Sequence, residues 1–206
     1  MGLKPLLAKI AAVLAIAAFG TVIASPANAD TPNIEIANGG NTNLRVDVMW
    51  ASTNPLQGAF LWPNNSSLSQ EFDLLDSGGG FYRIRARHSG QCLMLDWRAG
   101  TYSNGTRILQ YPACGAGYTP AEWSTQWIWR SNGCTGNCFT TGTWYARIRN
   151  RATGRCLDAA NGAGGVPGTQ AVLQQWDCIG SATQWNAWNQ MWSFVTATSV
   201  PSPPLH

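Results

Sequence analysis

Lysine and histidine are almost missing from this 206-residue chain, and only 11% of its residues carry charge. Lys4 and Lys9 are the sole lysines, and His88 and His206 the sole histidines. A histidine-based metal site is therefore nearly excluded. A Ser-His-Asp triad would have to rest on His88 alone, which follows Arg87 in a strand-like run. Long apolar runs are missing too, except one from Ile10 to Ala24 behind the two lysines. That run is short for a membrane span and is followed by Pro26 and Ala27-Asn28-Ala29, the small-x-small pattern of a signal-peptidase site. The expectation is a signal peptide over residues 1–29, cleavage before Asp30, a secreted protein and no membrane insertion. Once both lysines leave with the signal, eleven arginines face 10 acids in the remaining chain. A near-neutral chain without a basic cluster cannot displace counterions from phosphates, so nucleic acid is not an expected partner.

What is present is Gly (22), Trp (11) and Cys (6). The tryptophans exclude disorder for the body of the chain. Sustained helical periodicity is lacking after residue 30. In its place stand short runs in which Arg alternates with apolar residues, such as Arg83-Ile84-Arg85-Ala86-Arg87 and Arg147-Ile148-Arg149. Period two predicts strands with one wet face. Gly, Asn, Ser and Pro gather between them, where turns need positive φ or side-chain hydrogen bonds. Many short strands separated by such turns predict an all-β barrel or sandwich.

An internal repeat organises the runs. Ser89-Gly90-Gln91-Cys92-Leu93 parallels Thr153-Gly154-Arg155-Cys156-Leu157, and in each copy a second cysteine (Cys114, Cys178) follows 22 residues after the first. The copies end in Gln followed by aromatics, read as Gln126-Trp127-Ile128-Trp129 and Gln190-Met191-Trp192. A fainter first copy contains Leu44-Arg45-Val46-Asp47-Val48, Phe60-Leu61-Trp62 and Gln70-Glu71-Phe72, with Arg45 and Asn64 at the two cysteine positions. Both cysteines are lost together, as the loss of a disulfide requires. The copies span about residues 32–76, 81–130 and 144–194, within one domain over 30–196 and ahead of a Pro-rich tail at 197–206.

These three copies of a Cys-Leu-Asp, Gln-x-Trp-x-Cys and Asn-Gln-x-Trp pattern resemble the ricin-type β-trefoil lectins. Copy three matches closely, and copies one and two are degraded. The resemblance implies a β-trefoil of three repeated lobes, stapled by disulfides, each lobe a candidate sugar site. One lobe cannot bury its own apolar face, so three must close around a shared axis. The repeat pairs Cys92 with Cys114 and Cys156 with Cys178, leaving Cys134 with Cys138. The alternative for Cys134-x3-Cys138 is a zinc knuckle, which would need two further ligands that the chain does not offer. No metal and no other cofactor is expected.

Pyranose binding in water asks for a carboxylate or amide to replace the water on adjacent hydroxyls, and a flat aromatic to cover the C–H face. Copy three supplies both. By the resemblance Asp158 accepts sugar hydroxyls, Trp176 stacks, Gln174 shares its strand face, Asn189 is a second hydroxyl partner and Gln190 orients it. The competing roles are a turn cap for Asp158 and core packing for Trp176. Copy two has Met94, Leu109 and Tyr111 at the Asp, Gln and Trp positions, and a thioether cannot serve as a carboxylate does. Copy one keeps Asp47 and Trp62 but has Phe60 for Gln and Ser69 for Asn, which makes it a candidate second site. The expected function is a non-catalytic, carbohydrate-binding lectin acting mainly through copy three. Its alternatives are a protein-binding trefoil, such as a hydrolase inhibitor, and a small glycoside hydrolase, for which Asp158 lacks an accompanying second acid.

Overall fold

The computed structural model describes residues 30–131, 142–160, 165–180 and 187–197. Residues 1–29, expected as the signal peptide, the Cys134/Cys138 pair and residues 198–206 lie outside them. The described residues form twelve strands: β1 (Thr31–Asn38), β2 (Leu44–Val48), β3 (Ala59–Pro63), β4 (Phe72–Gly78), β5 (Phe81–Ala86), β6 (Cys92–Leu95), β7 (Ile108–Tyr111), β8 (Glu122–Ser131), β9 (Gly142–Asn150), β10 (Cys156–Ala159), β11 (Leu173–Trp176) and β12 (Trp192–Thr196). No α-helix occurs among these residues, only one-turn 3-10 segments.

Six of the strands close a barrel. β1 pairs with β4, β4 with β5, β5 with β8, β8 with β9, β9 with β12, and β12 returns to β1, always antiparallel. Closure leaves this ring without a free edge. The other six form three hairpins, β2–β3, β6–β7 and β10–β11. Isolated bridges Gly58↔Leu109, Arg107↔Gln174 and Phe60↔Val172 tie each hairpin to the next. The result is the β-trefoil that the resemblance implies: three lobes, each of four strands.

Registers show the threefold relation residue by residue. Arg45, Cys92 and Cys156 face Trp62, Tyr111 and Trp176, and two residues on, Asp47, Met94 and Asp158 face Phe60, Leu109 and Gln174. Ile36, Ile84 and Ile148, one from each lobe, are buried on the shared axis together with Val46, Leu93 and Leu157. Trp123 and Trp192 are fully buried, and their indole N–H groups donate to the carbonyls of Leu93 and Leu157 at 3.0 and 3.2 Å. A core indole thereby satisfies its one polar atom.

The end of copy two is not where the sequence pattern put it. One-turn 3-10 segments precede β4, β8 and β12 at Leu68–Gln70, Thr119–Ala121 and Trp188–Gln190. The counterpart of Gln190-Met191-Trp192 is therefore Ala121-Glu122-Trp123, and Gln126 lies further along β8. The search for a Gln before an aromatic landed on the wrong residue because lobe two has none at that position.

Both described disulfides match the repeat, Cys92–Cys114 and Cys156–Cys178. Lobe one fills the vacated place with charge. Arg45 stands at the cysteine position and its Nε donates to Glu35 Oε2 at 2.6 Å, both residues being buried. In the other lobes the residue matching Glu35 is Arg83 or Arg147, each donating to carbonyls beside the second cysteine (Cys114; Ile179 and Gly180). Arg147 departs from the one-wet-face expectation, since it is 3% exposed. Backbone carbonyls stand in for the water it would otherwise keep.

Candidate functional site

Strand pairing brings the lobe-three residues together. Asp158 on β10 faces Gln174 on β11, and Trp176 lies two residues along on the same face. Gln174 Nε2 donates to Asp158 Oδ1 at 2.9 Å. The 3-10 turn ahead of β12 supplies the rest: Asn189 Nδ2 and Gln190 Nε2 donate to Asp158 Oδ2 at 2.6 and 2.9 Å. Gln190 also accepts from the Ile179 amide and donates to the Asp177 carbonyl, which orients it. Asp158 is 2% exposed, whereas Trp176 is 41% exposed. Among the described residues the Asp158 carboxylate thus accepts from three side-chain amides, beside an exposed indole. Burial raises the Asp158 pKa above the ordinary carboxylate value, and the Gln174 and Gln190 amides oppose the rise.

Lobe one repeats this plan with other side chains. Gln70 Nε2 donates to Asp47 Oδ2 at 2.9 Å. Ser69 stands at the Asn189 position, and its hydroxyl lies 2.8 Å from that of Ser67. Burial raises the Asp47 pKa as well; Ser69, Gln70 and the nearby His88 oppose it. Asp47 forms part of an open pocket of about 220 Å³ lined also by Trp50, Phe60, Trp62, Asn65, Ser67 and Ser69.

Lobe two has lost all four polar positions at once: Met94 for Asp, Leu109 for Gln, Pro120 for Asn and Ala121 for Gln. Cys92, Met94, Leu109 and Ala121 pack as an apolar cluster, with Leu56, Trp97 and Tyr111 against it. Asp96 does not reach into that place; its carboxylate caps the next turn and pairs with Arg98 at 2.7 Å. Among the described residues no group of three or more His, Cys, Asp or Glu side chains could hold a metal. No described helix is long and apolar enough to cross a membrane.

The sequence profile of the family described as ricin-type beta-trefoil lectin domain-like matches residues 22–111, which run through lobe one and into lobe two. That match covers 90 of the 206 residues, under half of the chain. Solved structures share the trefoil at low identity. The designed threefold-symmetric protein ThreeFoil is 23% identical with a TM-score of 0.58, covering 79% of this chain and 96% of its own. The lectin of Polyporus squamosus, solved with a human-type influenza-binding epitope, is 20% identical with a TM-score of 0.55, covering 80% of this chain and 49% of its own. An exo-beta-1,3-galactanase from Clostridium thermocellum is 23% identical with a TM-score of 0.60, covering 81% of this chain and 30% of its own. Below 25% identity these likenesses establish the fold. No curated protein matches the chain.

Within this trefoil the sequence pattern overlooked a set of inter-lobe ties. Gln110 Nε2 donates to the carbonyls of Ser52 and Asn54, both at 2.7 Å, and its Oε1 accepts from Ser89. One lobe on, Gln175 Nε2 donates to the Ser103 carbonyl at 2.9 Å and its Oε1 accepts from Thr153. Each glutamine thus fastens the loop of the preceding lobe. The signal was legible as Leu109-Gln110-Tyr111 beside Gln174-Gln175-Trp176, but the aromatic spacing drew attention to the outward residue of each pair. Replacing the buried Gln110 by Leu leaves the Ser52 carbonyl to His88 but takes the side-chain donor from the Asn54 carbonyl and the acceptor from the Ser89 hydroxyl. The expected cost is about 1–3 kcal/mol, measured by denaturant unfolding.

Proposed function

We propose that the protein is an exported, non-catalytic carbohydrate-binding lectin whose main site is lobe three, with lobe one as a second site and lobe two silent. The observation that carries this reading is Asp158, buried and held by three amide donors beside the exposed Trp176. Such a carboxylate takes up hydroxyls without first reorganising, and the indole covers the C–H face of the same ring. A shallow site of this kind yields affinities of roughly mM to sub-mM, about −4 to −5 kcal/mol. A polysaccharide spanning two lobes gains avidity beyond either site.

The test is a glycan array and polysaccharide pull-down with the protein from Asp30 to His206, beside Asp158→Asn and Trp176→Ala. Asp158→Asn keeps shape while removing the charge. Trp176→Ala removes an exposed ring and should leave the thermal midpoint in place. Both are expected to weaken binding about tenfold or more, equivalent to ~1.4 kcal/mol. Full binding by both variants would move the main site out of lobe three, and no binding to any glycan by the folded parent would end the lectin reading.

Acid should separate binding from folding. Because the folded pKa of Asp158 and Asp47 is raised, their contribution to stability is complete below the unfolded carboxylate value of about 3.9 and is lost as pH rises through the folded value. Binding needs the ionised form and runs the other way. Glycan retention is expected to fall at a pH above the ordinary carboxylate range while circular dichroism still reports folded protein. Retention unchanged down to pH ~3.9 would show that neither carboxylate takes the ligand.

A further inference from the structure

Trp50 is 77% exposed, the most open of the large apolar side chains described. Its backbone sits at φ 63, ψ 20, left-handed space that bulky residues avoid, and Ala51 follows at φ 50. Strain of this sort persists only where surrounding structure enforces it. Here lobe two does so through the next three carbonyls. Ser52 O accepts from Gln110 and lies 2.9 Å from His88 Nε2, Thr53 O accepts from Gln91 Nε2 at 2.6 Å, and Asn54 O accepts from Gln110.

The strained indole stands on the lobe-one pocket. Phe60 lies between two tryptophans, its ring 6.3 Å from that of Trp50 and 5.4 Å from that of Trp62. Phe60 occupies the position of Gln174, so where lobe three offers an amide, lobe one offers a hydrocarbon wall. Its polar end consists of Asp47, which accepts fewer internal donors than Asp158, with the short side chains of Ser67, Ser69 and Asn65. A volume of about 220 Å³ suits a single sugar unit, below the ~300–1,000 Å³ of sites for drug-sized ligands.

Resting on the carbohydrate-binding reading, we propose that Trp50 and Trp62 form an aromatic clamp over Asp47, selecting a pyranose that carries a methyl group toward Phe60. A hydroxyl placed against Phe60 would lose its water and gain no partner, whereas a methyl group there is buried against rings. The methyl can belong to a 6-deoxy carbon or to an acetamido substituent. Lobes one and three then recognise different sugars, and lobe two, no longer a binding lobe, serves to hold the clamp open.

The experiment uses Asp158→Asn protein, in which lobe three is silenced, titrated by NMR with galactose, 6-deoxygalactose and N-acetylgalactosamine and with the corresponding gluco series. A methyl-bearing sugar is expected to bind at least fivefold tighter than its parent, and the series that responds tells deoxy from acetamido. Adding Trp50→Ala should weaken that sugar about tenfold with no fall in thermal midpoint. Adding Phe60→Gln should erase the preference while binding persists; if that variant does not fold, the Trp50→Ala comparison decides alone. Equal affinity for parent and methyl-bearing sugars overturns the proposal, as does undiminished binding by Trp50→Ala. Glycan binding by the parent protein that vanishes in Asp158→Asn overturns the clamp and leaves the lectin reading standing. No glycan binding by the parent protein ends both.

Discussion

Arg45→Met should destabilise the protein by about 3–5 kcal/mol, and adding Glu35→Leu should recover most of that loss. The guanidinium and carboxylate meet at 2.6 Å with side chains only 10% and 3% exposed. Removing the arginine alone strands a buried carboxylate. Removing both partners leaves an apolar pair of similar volume, and such replacements of buried ion pairs run from neutral to stabilising. Urea unfolding of the two single variants and the double variant measures the coupling directly. A single variant within ~1 kcal/mol of the parent would mean that Glu35 finds water or another donor, and that charge does not replace the staple of the other lobes.

Trp192→Ala and Trp123→Ala should each cost about 3–5 kcal/mol, while Trp176→Ala and Trp50→Ala stay within ~0.5 kcal/mol of the parent. The first pair is fully buried and holds two backbone carbonyls through indole N–H bonds, so truncation leaves both a cavity and an unpaired acceptor. The second pair presents its rings to solvent, and truncation creates no cavity. Glycan affinity is expected to invert this order at the exposed positions. Thermal melts and glycan retention on the four variants check both halves. A large stability loss at Trp176 would make it a packing residue and remove it from the site.

Much of this was legible in the chain. Cysteine spacing conveyed the repeat, and the likeness of that repeat to the ricin-type lectins implied the trefoil, in which three units with incomplete cores close on one another. The resemblance also implied Asp158 and Trp176, while period two put Gln174 on the strand face of Trp176; the pairing of β10 with β11 makes the three neighbours. Three things were not. The end of lobe two was misread at Gln126 because the true counterpart, Ala121, has no polar atom to mark it. Arg147 read as wet because alternation tells which face a side chain takes, and not whether carbonyls wait there. Trp50 drew no notice because its role depends on φ and on hydrogen bonds from Gln91, His88 and Gln110, which reach across 36–58 positions to the carbonyls they hold and which no local pattern connects to it.

β12 lies against β1, with Ile34 opposite Thr196, so the first and last strands of the barrel are neighbours. Topologically the molecule is a circle that happens to be cut between lobes three and one. The cut could be moved. The β4–β5 hairpin turns through Gly78, Gly79 and Gly80, all at positive φ, and a Cβ added at Gly78 or Gly80 would meet nothing within 4 Å. A permuted chain that begins there and joins Thr196 to Thr31 by a short linker would translate lobe two first and lobe one last, and should rebuild the same ring.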